Sequence, residues 1–329
     1  MLKDMMPHFD LYQPDSVEAA VDLAARLGAD GWLLGAGQDS YDWFKNRTKR
    51  TPAVIELSGI ASLKGVKEKD GGLEIGALTT LTEIENDPLV RAKFGLLATA
   101  AGRVASPQIR NAGTLGGNLC QDTRCWYYRY GVDCYRAGGN MCYADTPEGQ
   151  NREHAIFGAS RCVAVQPSDT ANAVVALEGS MVIRSASGER VVPAAEFFVG
   201  PDVNIRRMTV LEPGEILVAV RLPARWAGAQ FYFEKVADRQ AWDFALVSIA
   251  AALRLEGDRI VEASLVCGAV GCVPHRLEQV QAAIKGSTKS DETAARAGKL
   301  AVEGATPLTF NQFKIPLMEN LVRRAIRDA

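Results

Sequence analysis

Apolar residues recur at helical spacing through Val17, Ala20, Val21, Ala24 and Leu27, with Asp15 or Ser16 placed to cap the first turn and Gly28 to end it. This pattern predicts a helix. Two short apolar runs follow, 32–34 and 53–57, each the length of a buried strand, and the first enters the turn Gly35-Ala36-Gly37-Gln38-Asp39. The run 73–78 reads as a further strand, Thr79 or Thr80 opens a helix with Glu83 in its first turn, and another helix is predicted around 89–101. Residues 106–118 break every period with Gly, Pro, Asn and Ser, so irregular backbone is expected there.

Between 119 and 162 periodicity lapses, and this stretch reads as an inserted loop organised by something other than a core. Regular pattern returns with a helix at 171–177 and a strand at 180–184. A break near 193–201 then leads into a second unit of alternating runs, 215–222, 231–236, 244–255 and 263–270, closed by helical stretches 276–284 and 316–326. The class is α+β in two domains, 1–195 and 196–329, the first with subdomains of about 1–58 and 59–195 and the insertion at 119–162.

Composition narrows the chemistry. An apolar share of 47% and a charged share of 23% are those of an ordinary globular protein. The 37 basic and 39 acidic residues nearly cancel, which argues against nucleic acid or an anionic membrane as partner. The first residues, with Asp4, His8 and Asp10, lack the basic start and apolar core of a secretory signal, and no apolar run is long enough for a membrane span. A cytoplasmic location is expected, or a periplasmic one if a partner carries the chain across.

Candidate chemistry falls in two places. Gly35-Ala36-Gly37 follows a strand and can bring backbone N–H groups against a phosphate, although Ser40 stands where the nicotinamide fingerprint would end in glycine. Thr114 to Asn118, with Gly116 and Gly117 adjacent, offers amides, a hydroxyl and a carboxamide to a polar cofactor. The second place is the insertion: of seven cysteines, Cys120, Cys125, Cys134, Cys142 and Cys162 fall in or beside it. A chain able to fold on its own core, with no export signal, favours metal or redox chemistry over disulfides. Cys267 and Cys272 lie in a small-residue strand and read as buried apolar thiols.

Taken together, Leu33-Leu34-Gly35-Ala36-Gly37, Ile75-Gly76-Ala77, Pro107-Gln108-Ile109-Arg110-Asn111, Thr114-Leu115-Gly116-Gly117-Asn118 and Pro167-Ser168-Asp169 resemble, in order along almost the whole chain, the FAD subunit of the xanthine oxidase family of molybdenum hydroxylases. The resemblance implies a two-part FAD-binding domain of the vanillyl-alcohol-oxidase (PCMH) type and a smaller C-terminal α/β domain like that of the CO dehydrogenase flavoprotein. It implies two backbone cradles for FAD: Leu33, Leu34, Gly35, Ala36, Gly37, Gln38, Asp39 and Ser40 in the first, and Asn111, Thr114, Leu115, Gly116, Gly117 and Asn118 in the second. Val104, Asp169, Leu217 and Lys235 match further family positions round the cofactor, with Lys235 placing positive charge that favours the reduced, anionic flavin. Gln38 departs from the family's Gly-Gly-Thr-Asp pattern.

Most such subunits lack the insertion of about forty residues. It resembles those of 4-hydroxybenzoyl-CoA reductase and, more closely in Thr123-Arg124-Cys125 and Asn151-Arg152-Glu153-His154-Ala155, of bacterial molybdenum aldehyde oxidoreductases, which hold a 4Fe-4S cluster there. The resemblance favours Cys125, Cys134, Cys142 and Cys162 as ligands, with Cys120 a bystander near the flavin or a replacement for Cys162. It also implies a heterotrimer with a large molybdenum-cofactor subunit and a small 2Fe-2S subunit, this chain relaying electrons to an external partner such as ferredoxin or NAD. An aldehyde or aromatic oxidoreductase and an aromatic-CoA reductase both fit. Two rivals stand beside it: a self-contained FAD oxidase or dehydrogenase, and a zinc-stabilised scaffold, against which the chain offers no Cys-x-x-Cys pair.

Overall fold

The computed structural model describes residues 5–329; residues 1–4, Asp4 among them, lie outside it. The Val17–Leu27 helix forms as its periodicity predicts, with Ser16 Oγ accepting from Ala19 N at 3.3 Å and Gly28, at φ 52°, ending it. Its buried Ala20, Val21 and Ala24 pack with Ile55 and Leu57 against a three-stranded parallel sheet in the order Asp10–Tyr12, Ala53–Glu56, Gly31–Leu34. The Asp10–Tyr12 strand is too short to show a period in the sequence.

A five-stranded antiparallel sheet follows, in the order Val66–Lys69, Gly72–Gly76, Ile216–Leu222, Ser180–Ser185, Gly188–Pro193. Its central strand, Ile216–Leu222, was expected in the second unit. Alternation reports that a strand is half-buried but not which sheet receives it, and the chain crosses the 193–201 break only to return to the first sheet. We therefore propose that the domain division follows Leu222 rather than 195.

The sequence reading gives no helix at Ser40–Lys45 or Asp291–Ala301, and two of its other expectations change. Thr80 and Glu83 form the full capping box of the Leu81–Asn86 helix. The helix expected at 89–101 is two, Pro88–Lys93 and Gly95–Gly102, broken at fully buried Phe94. The stretch expected to be irregular folds as two short helices, Pro107–Ala112 and Leu115–Cys120, because Ser106 accepts from Ile109 N and Thr114 from Gly117 N. Capping overrides the helix-breaking composition.

The third sheet, also antiparallel, runs His275–Arg276, Arg259–Gly268, Val247–Glu256, Gln230–Val236. Val247–Glu256 is buried on both faces, and its parity sorts residues by size. Ile249, Ala251 and Leu253 pack with the C-terminal helices Glu278–Ile284, Asp291–Ala301 and Lys314–Asp328. Ala250 and Ala252, on the other face, share a core with the Gly95–Gly102 and Asp169–Ala176 helices. Small side chains let the two units approach closely: a Cβ on Gly268 would lie 2.0 Å from Asn172 Nδ2.

The insertion is largely irregular, with one short α-helix, Trp126–Arg129, and one 3-10 turn, Tyr135–Ala137. It is nonetheless docked. Tyr128 and Cys134 join Trp43, Phe44 and Val54 in a small apolar cluster, and Asp122 is held by Lys49 and by Arg136 at 2.7 Å.

Glu74, in the Gly72–Gly76 strand, carries a testable pH dependence. Burial alone would raise its carboxyl, but Lys67, Lys69 and Arg221 at 2.8, 2.7 and 2.6 Å outweigh burial and lower it from 4.5 to about 2. A depressed carboxyl stabilises the fold above its unfolded value and loses that contribution as pH falls through the folded one. Thermal melts from pH 5 to pH 2 should show about 1 kcal/mol of this loss, after screening of the exposed Lys67, and Glu74→Gln should abolish that share. An unchanged pH profile in the variant would count against it.

Candidate functional site

The Gly31–Leu34 strand ends in a turn at Gly37, φ +78°, whose carbonyl accepts from Ser40 N at 3.0 Å and so starts the Ser40–Lys45 helix. The second glycine segment approaches this turn through Thr114. A Cβ on Gly35 would lie 3.2 Å, and one on Gly117 3.0 Å, from Thr114 Oγ1. Gly116 lies against the sheet, its N–H donating to Ala77 O at 2.7 Å, where a Cβ would sit 2.9 Å from the same oxygen. Side chains at these glycines would fill the space between the two segments or push them apart.

Between them opens a cleft of about 940 Å³. Leu33, Gly35, Ala36, Gly37, Gln38, Asp39 and Ser40 line one side, and Thr114, Gly117 and Asn118 another. Val104, Asp169 and Lys235 complete the predicted residues that meet there. Others do not reach it. Leu34, Leu115 and Leu217 are buried in the core, Gly116 packs on Ala77, and Asn111 accepts a hydrogen bond from Thr82 on the surface.

Lys235 reaches the cleft through strand parity, on the same face as Phe231 and Phe233, which pack on the first domain's core. Its Nζ donates to Asp169 Oδ2 at 2.6 Å and to Arg103 O at 3.1 Å. The positive charge at Lys235 is thus paired, since an ammonium at this depth needs a counter-ion. Burial pushes the Asp169 carboxyl up, against the pull of Lys235 and Arg103.

Asp39 lines the cleft, but its carboxylate serves the protein. It accepts from Arg129 at 2.5 Å, from Asp122 N at 3.0 Å and from Trp43 Nε1 at 3.2 Å, and lies 3.1 Å from Arg124. Burial would raise it, and the two guanidinium groups hold it below the usual carboxylate range. Asn118 likewise accepts from Ser168 and Thr170, both at 2.6 Å, tying the second glycine segment to the start of the Asp169–Ala176 helix.

Sequence reasoning missed Trp32, Arg124, Trp242 and Phe244 in the lining. Arg124 stacks over Phe244 at 4.5 Å, and burial lowers its guanidinium to about 10 although Asp39 opposes the shift. Two exposed aromatics, Trp242 and Phe244, in the polar stretch after Val236 were the available signal.

A second, smaller cavity of about 280 Å³ lies in the insertion. Cys125, Cys134, Cys142 and Cys162 all line it, with Tyr127, Tyr128, Arg136, Tyr143 and His154. All seven cysteines are free thiols. His154 Nε2 lies 3.3 Å from Cys125 Sγ, and burial pushes the Cys125 thiol up to about 12. Cys120 faces the cleft instead, while Cys267 and Cys272 are buried, Cys272 donating to Cys162 O at 3.5 Å. Among the described residues, no three or more His, Cys, Asp or Glu are grouped so as to hold a metal ion.

Two glycine segments that meet over a threonine bound a cleft between an α/β domain and a second sheet, a form that suits a phosphate-bearing cofactor. Residues 7–225 match the family described as FAD binding domain in molybdopterin dehydrogenase, and residues 232–329 the CO dehydrogenase flavoprotein C-terminal domain. The chain belongs to the FAD-binding medium subunits of the molybdenum hydroxylase family, and is an oxidoreductase subunit. It is 31% identical to the aldehyde oxidoreductase FAD-binding subunit PaoB of Escherichia coli over 97% of both chains. With the carbon monoxide dehydrogenase medium chain of Hydrogenophaga pseudoflava it shares 27% identity over 98% of this chain and 97% of that one. A structure of quinoline 2-oxidoreductase from Pseudomonas putida 86 superposes with a TM-score of 0.78 at 26% identity, covering 99% and 98% of the two chains. No helix among the described residues is long and apolar enough to cross a membrane.

Proposed function

We propose that this chain holds FAD in the cleft and a 4Fe-4S cluster in the four-thiol cavity, and relays electrons between molybdenum and 2Fe-2S partner subunits and an external redox partner. The observation that carries this reading is the convergence of Cys125, Cys134, Cys142 and Cys162, from four separate points of an irregular insertion, on one cavity. Four cysteine thiolates are the usual ligand set of such a cluster. Its ligand sulfurs surround a cage of several atoms and stand further apart than those round one ion, so a loose ring of thiols suits it better than it suits zinc.

The cleft suits FAD in the glycines that line it, and bound FAD exchanges single electrons with an iron–sulfur centre and pairs with a soluble partner. This chain's residues supply the placement. Gly35, Gly37 and Gly117 leave backbone open to the pyrophosphate, Thr114 joins the two cradles, and Lys235 with Asp169 fixes one end of the cleft. Arg124 lines the cleft directly before Cys125, and a third cavity is bordered by both Asp169 and Cys125, so the two sites are neighbours. The aldehyde oxidoreductase name of the 31% identical relative favours an aldehyde-oxidising complex, with the organic substrate bound on the large subunit.

The complex should be purified after co-expression with the reading frames beside its gene, and assayed for flavin, iron, acid-labile sulfide and zinc. One FAD and about four irons per copy of this chain, beyond the 2Fe-2S iron of the small subunit, are expected. Zinc in place of that extra iron would sink the relay reading and leave the FAD assignment standing.

A further inference from the structure

His154 forms part of the wall between two cavities. It borders the four-thiol cavity and also the adjoining one that is bordered by Asp169. The imidazole is 3% exposed, and its Nε2 lies 3.3 Å from Cys125 Sγ. Its backbone is clamped from the C-terminal domain: Asn311 Nδ2 donates to the carbonyls of His154 and Ala155 at 3.0 and 3.2 Å, and Phe310 N donates to Asn151 Oδ1 at 2.9 Å. In the adjoining cavity two buried polar atoms lack a partner among the described residues, His154 Nδ1 and Gln166 Nε2. Gln166 is oriented by its other end, where Oε1 accepts from Ser168 N at 2.7 Å.

We propose that His154 is a positioning residue for the cluster, donating its Nε2–H to the Cys125 sulfur and thereby raising the cluster's reduction potential. The inference rests on the cluster reading above. Reduction adds one electron to a centre whose charge is partly carried by its thiolate sulfurs, and a donor aimed at one of them stabilises the electron-rich state more than the oxidised one. No proton moves in this step. Donation from Nε2 leaves Nδ1 as the ring's acceptor, buried and without a partner among the described residues.

The test is an EPR-monitored potentiometric titration of the intact complex, with iron and sulfide measured on each sample. His154→Leu should keep its iron and shift the reduction equilibrium of this cluster about tenfold toward the oxidised form, or ~59 mV for a one-electron couple. His154→Gln, whose amide can donate from a similar position, should recover most of the shift, which a purely space-filling role would not produce. His154→Phe, a ring without a donor, should give the same shift, and it keeps the proposal testable if His154→Leu does not assemble. Full iron with an unmoved potential in His154→Leu, or in His154→Phe where the former does not assemble, would overturn the hydrogen-bond role. Absence of the extra iron from the unmodified complex would overturn the cluster reading itself.

Discussion

Cys134→Ser is expected to lose the extra iron, from about four atoms to fewer than about one per chain, while FAD stays bound in full. Cys134 is 7% exposed and lines the thiol cavity, and a serine hydroxyl there is a poor iron ligand. Retention of FAD follows from how the insertion is moored. Arg129 to Asp39 at 2.5 Å and the ion pair of Lys49 with Asp122 hold it to the first domain, and Asp39 belongs to the first cradle. The cleft therefore has supports that the variant leaves in place. Cys120→Ser provides the contrast. Cys120 faces the cleft, its thiol pushed up to about 12 by burial, and its replacement should leave the iron unchanged. Iron and flavin assays on the two variants check both halves. Iron loss in Cys120→Ser with full iron in Cys134→Ser would reverse the ligand assignment.

Much of this arrangement is legible in the sequence because it depends on local signals. Ser16 and Thr80 announce helices through hydroxyls that cap them, and Gly37 marks a turn that needs positive φ. The glycine segments could be matched to a family because close backbone approach leaves few alternatives at Gly35 and Gly117. What the sequence conceals is set by distant pairing. Ile216–Leu222 alternates as any half-buried strand does, and only the edges offered by Gly72–Gly76 and Ser180–Ser185 decide its sheet. Asp39 reads as a cofactor contact until Arg124 and Arg129, supplied by the insertion, take its carboxylate. Trp242 reaches the cleft at φ 76°, bonded through its N–H to Ala105 O, a contact no local pattern encodes.

The Lys235–Asp169 pair leads to the second large effect. Lys235 and Asp169 are 8% and 4% exposed, and they join the two domains at the cleft. Lys235→Met keeps the length of the side chain and leaves Asp169 as an unpaired buried carboxylate, a change that costs about 3–5 kcal/mol. The melting temperature should fall by roughly 10 °C, and FAD should be lost more readily on dilution or gel filtration. The pH dependence has a defined sign. Burial already holds the Asp169 carboxyl above its unfolded value, and removing Lys235 pushes it further up. A group raised in the folded state loses stability as pH rises through its folded value. The deficit of Lys235→Met should therefore be largest at neutral pH and shrink as the medium is acidified and Asp169 takes up a proton. Lys235→Met combined with Asp169→Asn removes the stranded charge and should recover much of the melting temperature. FAD retention should stay low in the double variant if the ammonium itself serves the cofactor. Melts of the three variants against pH, with flavin content measured on each, separate the two roles. A Lys235→Met deficit that stays constant from pH 5 to pH 8 would show that the loss lies in packing rather than in the buried carboxylate.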